Sequence, residues 1–155
     1  AYYPEFEKEK LVWKAIGLEP AFALVKPNIF NNDKANLLTS NSVSLEYLCA
    51  LLNSNIFRFQ FKNIGINMGK GFEYKIQFMN HIAIPPITAQ NSSLVNNIEV
   101  LVNQIITTKQ DNPKSDTSKL ERQIDERVYQ LYGHAEKEID IVEGSVKEKT
   151  RKKTP

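Results

Sequence analysis

Residue types that carry out covalent or metal chemistry are thinly spread in this chain. Glu73-Tyr74-Lys75 has the Glu-x-Lys spacing that ends some nuclease sites, where metal-bound carboxylates activate water, and Glu5 after Pro4 is the acid that would have to partner it. Such a partner belongs on a strand beside the pair, whereas Glu5 sits close to a terminus, so a solvated loop accounts for the tripeptide better. His81 and His134 are the only histidines, and neither has a second histidine or a cysteine at ligand spacing. His134 fits better as a cap of the last helix. Glu121, Asp125 and Glu126 cluster as solvated helix faces do rather than as a paired acid and base. Walker, HExxH and GxSxG patterns are missing from the sequence. Neither catalysis nor a resident metal is expected in this chain.

A different chemistry is concentrated between Arg58 and Asn80. Arg58, Lys62, Asn67, Lys70, Tyr74, Lys75, Gln77 and Asn80 crowd around Gly65, Gly69 and Gly71. Lysine and arginine neutralise phosphates, amide side chains pair bidentately with adenine, and glycines let a backbone approach a duplex closely. The stretch with Lys26, Asn28, Asn31, Asn32 and Lys34 has the same makeup. Both also have the composition of ordinary surface turns. The expectation is that the two stretches flank one groove and face DNA.

Net charge alone does not single out such a surface, because +2 over 155 residues is small for a nucleic-acid binder. Its distribution is more telling. Residues 55–80 carry Arg58, Lys62, Lys70 and Lys75 against Glu73, a balance of +3. Residues 117–144 carry four basic groups against seven acids, a balance of −3, which makes them a poor phosphate surface.

Positioning these residues requires a small sheet and several helices. Lys10 to Ile16 and Phe22 to Lys26 are rich in β-branched and aromatic residues and read as paired strands, with Ala35 to Thr39 as a third. Ser44 caps a helix bearing Leu45, Leu48, Leu51 and Leu52; Asn53-Ser54-Asn55 interrupts it, and Phe57, Phe61 and Ile64 continue in a second helix that Gly65 stops. The glycine-dense stretch from Gly65 reads as a flexible loop, and Pro85-Pro86 makes the next segment extended. Leu94, Ile98, Leu101 and Ile105 mark a long amphipathic helix. Ser118 and Glu121 form a capping box for another, carrying Leu120, Ile124, Val128 and Leu131 and ending at Gly133. These two helices should pack as an antiparallel hairpin. A short last helix from Ala135 to Glu143 precedes a basic tail.

The implied fold class is α+β, a small mixed or antiparallel sheet with short helices followed by a C-terminal helical hairpin and a short last helix. Residues 1–90 form the sheet-containing recognition part, 91–144 a helical spacer or docking hairpin packed on it within one compact unit, and 145–155 a basic flexible tail. Hydrophobic residues at 41% and charged residues at 25% suit a soluble domain, and no apolar run reaches the roughly 18 to 20 residues of a membrane span. Ala1 to Glu5 does not begin a signal peptide, and Cys49, the single cysteine, excludes an intramolecular disulfide, which together point to the cytoplasm.

Several segments, taken in order, resemble the TaqI-like C-terminal specificity domain of type II restriction-modification enzymes with a fused adenine methyltransferase. They are Lys10-Leu11-Val12-Trp13, Leu51-Leu52-Asn53-Ser54, Ile84-Pro85-Pro86, then Glu121, Ile124 and Asp125 before Val128-Tyr129-Gln130-Leu131-Tyr132-Gly133, and Glu138-Ile139. The resemblance spans roughly Glu9 to Gly144. His134 departs from it, standing where the family commonly has an apolar residue. The resemblance implies a non-catalytic target-recognition module, related to those of type I specificity subunits, that selects the DNA sequence at which a methyltransferase or endonuclease acts. Its implied partners are double-stranded DNA and the methyltransferase or nuclease region of the same parent protein, with no membrane. The Asn/Asp-Pro-Pro-Tyr/Phe motif is missing, so S-adenosylmethionine and magnesium are expected only in other parts of the parent. The alternative is a helical protein-interaction module associating through Leu94, Leu101 and Ile105.

Overall fold

Leu11 and Trp13 alternate with Val12 and Lys14, and this period of two builds a strand with Leu11 and Trp13 buried and Lys14 in solvent. The structure, a computed structural model, describes residues 3–69 and 71–151, with side chains in the final helix as far as Val146. One helical turn, α1 (Tyr3–Phe6), leads into that strand, β1 (Lys10–Lys14), followed by β2 (Ile16–Gly17), β3 (Phe22–Val25) and β4 (Ala35–Leu38). β1 is the centre of an antiparallel sheet in the order β3-β1-β4. Trp13 stands opposite Phe22 and Asn36, and Leu11 opposite Leu24 and Leu38, so one face is apolar but for Asn36, whose amide donates to the Tyr74 carbonyl. β3 and β4 therefore run the same way, and residues 26–34 must cross from the Lys10 end of β1 to the Lys14 end.

Two helices cover the apolar face. Ser44 Oγ accepts the Tyr47 N–H at 3.2 Å and starts α2 (Leu45–Asn53), as its sequence position predicts. Buried Ser54 then serves two helix ends: its Oγ donates to Leu51 O at 2.7 Å and accepts the Phe57 N–H at 3.2 Å, ending α2 and opening α3 (Asn55–Ile64).

The segment expected to be a flexible loop instead forms a hairpin, β5 (Ile66–Asn67) and β6 (Phe72–Glu73), which joins β2 in a second antiparallel sheet ordered β2-β6-β5. Two-residue strands are too short to show alternation in a sequence. Gly69 supplies a left-handed turn residue (φ +80°), and a Cβ on Gly71 would stand 2.4 Å from the Gly17 carbonyl oxygen, so only glycine lets β6 leave the turn so close to β2. A short helix, α4 (Ile76–Met79), follows and carries the chain to the extended Pro85-Pro86 segment.

The predicted hairpin is α5 (Ser92–Asp111) and α6 (Ser118–Tyr132), which pack on each other and on α2 and α3. Its cap lies one residue earlier than the capping-box reading places it. Thr117 is the N-cap and its hydroxyl bonds to Glu121 Oε1 at 2.6 Å, while Ser118 is already helical and gives its N–H to Asp116 Oδ1. Gly133 ends α6 in the left-handed conformation (φ 68°), with its own N–H on Gln130 O and that of His134 on Tyr129 O, a Schellman closure. The last helix, α7 (Glu136–Arg151), is not short: it continues past Glu143 into the stretch read as tail, of which 152–155 lie outside the described residues. His134 does not cap it; the Glu138 carboxylate takes the Ala135 N–H at 2.7 Å instead.

Two apolar clusters result. One joins Trp13, Phe22, Phe57, Phe61, Phe72 and Tyr74 under both sheets, and the other joins Tyr47, Leu51, Ile98, Leu101 and Val128 between the helices. Leu101 is buried there, with Leu94 and Ile105 packed against it, so the residues named for the interaction alternative are core. Among the described residues no helix is long and apolar enough to cross a membrane.

Candidate nucleic-acid interface

The two sheets meet at Ala15, between β1 and β2. Its N–H donates to the Lys34 carbonyl at 3.0 Å and its carbonyl accepts the Tyr74 N–H at 2.7 Å. The Tyr74 carbonyl accepts two further bonds, from Trp13 Nε1 at 2.9 Å and Asn36 Nδ2 at 3.2 Å. Lys14, Lys34 and Lys75, from three separate stretches of sequence, thus have their backbones at one junction, and all three side chains are exposed. Lys75 Nζ is 3.1 Å from Glu73 Oε2, which fixes its direction and offsets part of its charge. Lys14 is absent from the sequence-derived set. Its alternation with Trp13 marks it as outward-facing, but only the crossover of residues 26–34 brings Lys34 beside it.

The expected residues fall into separate groups. Lys34 and Lys75 share the junction, and exposed Gln77 and Asn80 continue from Lys75 along α4. Asn67 is exposed in β5, its Oδ1 taken by the Gly69 N–H at 2.8 Å. Lys70 lies outside the described residues. Lys26 and Asn28 are at the other end of β1, about 13 Å away by strand geometry. There the fully buried Lys10 donates to the carbonyls of Phe6, Lys8 and Lys26, and the Asn28 N–H to that of Phe6. Asn31 and Asn32 shape the crossover: Asn31 Nδ2 donates to Ala35 O at 2.8 Å, and Asn32 Oδ1 accepts the Lys34 N–H at 3.1 Å. The two stretches therefore meet only through Lys34, and the single groove expected from both is not formed by Lys26 and Asn28.

Tyr74 must be removed from the DNA-facing set. It is 3% exposed and stacks on Phe61 at 4.7 Å between ring centres, and burial pushes its hydroxyl up to about 12. Arg58 and Lys62 are engaged away from the junction, Lys62 with α7 and Arg58 with Asn55 and Glu19. Lys62 Nζ bonds to Ser145 Oγ at 3.1 Å, and Arg58 bonds to Asn55 Oδ1 at 3.0 Å and faces Glu19 at 3.9 Å. Arg58 also lies within the field of Asp125, whose Oδ1 accepts the Asn55 N–H at 2.8 Å and closes the start of α3. Burial raises the Asp125 carboxyl to about 6 despite that hydrogen bond and Arg58, and the nearby Glu143 and Glu121 charges push the same way.

The nuclease arrangement does not assemble. Glu73 is held by Lys75 at the Ala15 junction, while Glu5 bonds to Thr39 and Lys8 beyond the opposite end of β1. No group of three or more His, Cys, Asp or Glu side chains that could hold a metal occurs among the described residues. Cys49 lies against Phe22, and burial lifts its thiol to about 11, which keeps it protonated near neutral pH.

The family model described as the TaqI-like C-terminal specificity domain matches residues 2–84, which contain both sheets and α1 to α4 and end where the path to the helical hairpin begins. The similarity noted for Glu121 to Ile139 lies beyond that match. No curated protein matches the chain. As the matched stretch is more than half of the 155 residues, the chain belongs to the TaqI-like C-terminal specificity domain family.

Proposed function

We propose that this chain recognises a sequence in double-stranded DNA for a type II restriction-modification enzyme of the cytoplasm and contributes no catalytic group to it. Methyl transfer or cleavage, with S-adenosylmethionine and magnesium, belongs to other parts of the parent protein, which the helical hairpin docks or spaces. The observation that carries this reading is the convergence of Lys14, Lys34 and Lys75 at the Ala15 junction, inside the stretch that the specificity-domain family covers. Three exposed lysines rooted at one rigid seam suit the phosphates on either side of a groove, leaving Gln77, Asn80 and the β5–β6 hairpin for base edges. Residues 117–144, which hold α6 and the first half of α7, carry a balance of −3, which disfavours phosphate contact there.

Selection from randomised duplex DNA at two salt concentrations tests this, with enrichment of a short motif as the expected result. On the enriched site, replacing Lys14, Lys34 or Lys75 by alanine should weaken binding about equally on all sequences. Each replacement should reduce the slope of log affinity against log salt by roughly 0.9. Lys62→Ala should leave that slope unchanged. Retention without salt dependence, or with no motif enriched, would contradict the proposal.

A further inference from the structure

The outer face of the second sheet exposes four large apolar side chains around a single ion pair, Glu73 with Lys75. Strand pairing sets Ile16, Glu73 and Ile66 in one row. Leu18, Gly71 and Met68 form the next: Gly71 lies against the Gly17–Leu18 backbone, and its carbonyl accepts the Met68 N–H at 2.8 Å. Ile16, Leu18, Ile66 and Met68 are 56%, 54%, 43% and 51% exposed. Gly71 adds no side chain between them, and Lys75 is held onto this face by Glu73. Ile66 and Met68 lie on β5 and its turn, so they are also on the sheet's open edge.

We propose that Ile66 and Met68 read the 5-methyl groups of thymine in the major groove, into which the β5–β6 hairpin inserts. The inference rests on the duplex-recognition reading above and adds to it the base chemistry the hairpin selects. A two-stranded ribbon fits the major groove, and the thymine methyl is the apolar group displayed there. Charge favours a duplex over an apolar protein surface as the occupant: β2 starts at the junction where the backbones of the exposed Lys14, Lys34 and Lys75 meet, so three lysines are rooted at the Ile16 end of this face, where phosphates could be met.

The test exchanges thymine for deoxyuridine one position at a time in the enriched duplex, which removes a methyl and leaves pairing and backbone charge intact. At one or two positions the intact chain should bind about three- to fivefold more weakly, as expected for losing one buried methyl. In Met68→Ala or Ile66→Ala, both solvent-exposed and so harmless to folding, the same exchange should have no further effect. Three results would overturn the inference and leave duplex recognition standing. They are a motif of G·C pairs alone, uracil tolerated at every thymine, or a uracil effect undiminished in both variants. No duplex retention at either salt would remove both conclusions together. Loss of self-association in the alanine variants, with DNA affinity untouched, would assign the face to protein contact instead.

Discussion

Asp125 shows how one carboxyl group ties the sheet-containing part to the helical part. It sits on α6 yet closes the first turn of α3, through the Asn55 N–H at 2.8 Å. Its folded-state pKa of about 6 lies above the ordinary 3.8, so the native state holds this proton more tightly than the unfolded chain does. Stability from this group is greatest below pH 4, falls as pH rises through the window from about 4 to 6, and stays reduced above it. Asparagine keeps an acceptor for the Asn55 N–H without the buried charge. Asp125→Asn should therefore raise unfolding stability at pH 7.5 by on the order of 2 kcal/mol, an advantage that fades by pH 4, as urea unfolding at the two pH values would show. A gain of equal size at both would mean that burial of charge is not what governs this site.

At the scale of elements, the vulnerable piece is β3, an edge strand lying against α2. Asn53, the last residue of α2, accepts the Phe22 N–H at 3.0 Å and donates to the Phe22 carbonyl at 2.9 Å, so one amide imitates a neighbouring strand. One turn earlier, the Cys49 sulfur takes a hydrogen bond from the Leu24 backbone. The edge is thus closed by side chains and is unavailable for pairing with another chain. Asn53→Ala leaves both Phe22 groups without these partners, and an expected cost of about 1–3 kcal/mol should lower the urea midpoint. Light scattering on warming should rise in parallel as the edge opens. An unchanged midpoint would show that water replaces the amide without loss.

For the molecule as a whole, the two apolar clusters share α2 and α3. Leu45 and Leu52 of α2 face the sheets while Tyr47, Ala50 and Leu51 face the long helices; on α3, Phe57 and Phe61 oppose Ile56 in the same way. Neither cluster can lose its packing without disturbing the helices that the other rests on, so unfolding should be a single cooperative event. Trp13, the sole tryptophan, lies in the sheet cluster and reports on it alone, whereas far-UV circular dichroism follows mainly the helices. Leu51→Ala, in the helical cluster, should cost about 2–5 kcal/mol and shift both signals to the same lower midpoint. A Trp13 transition left in place while the helical signal moved would show two units that unfold separately.

Local pattern determined much of this protein. The period of two in Leu11-Val12-Trp13-Lys14, the cap at Ser44, the break at Ser54, the stripe Leu94 to Ile105 and the stop at Gly133 are short-range effects of side-chain spacing and backbone preference, and each stands where the sequence puts it. The order of chemical segments also sufficed to identify the family. What depends on distant partners had no local signature. Two-residue strands exist only because β2 pairs with β6 across more than fifty residues, so a glycine-rich stretch read as loop became a hairpin. Tyr74 carries a polar group and reads as surface, yet it is drawn into the core by Phe57 and Phe61 and by the bond from Trp13 to its carbonyl. Lys14 was overlooked and Lys26 included because a crossover reverses which end of a strand a loop reaches. Charge type can be read residue by residue, but which charges stand together is decided by hydrogen bonds such as those of Ala15, which join Lys34 and Tyr74 across forty positions of sequence.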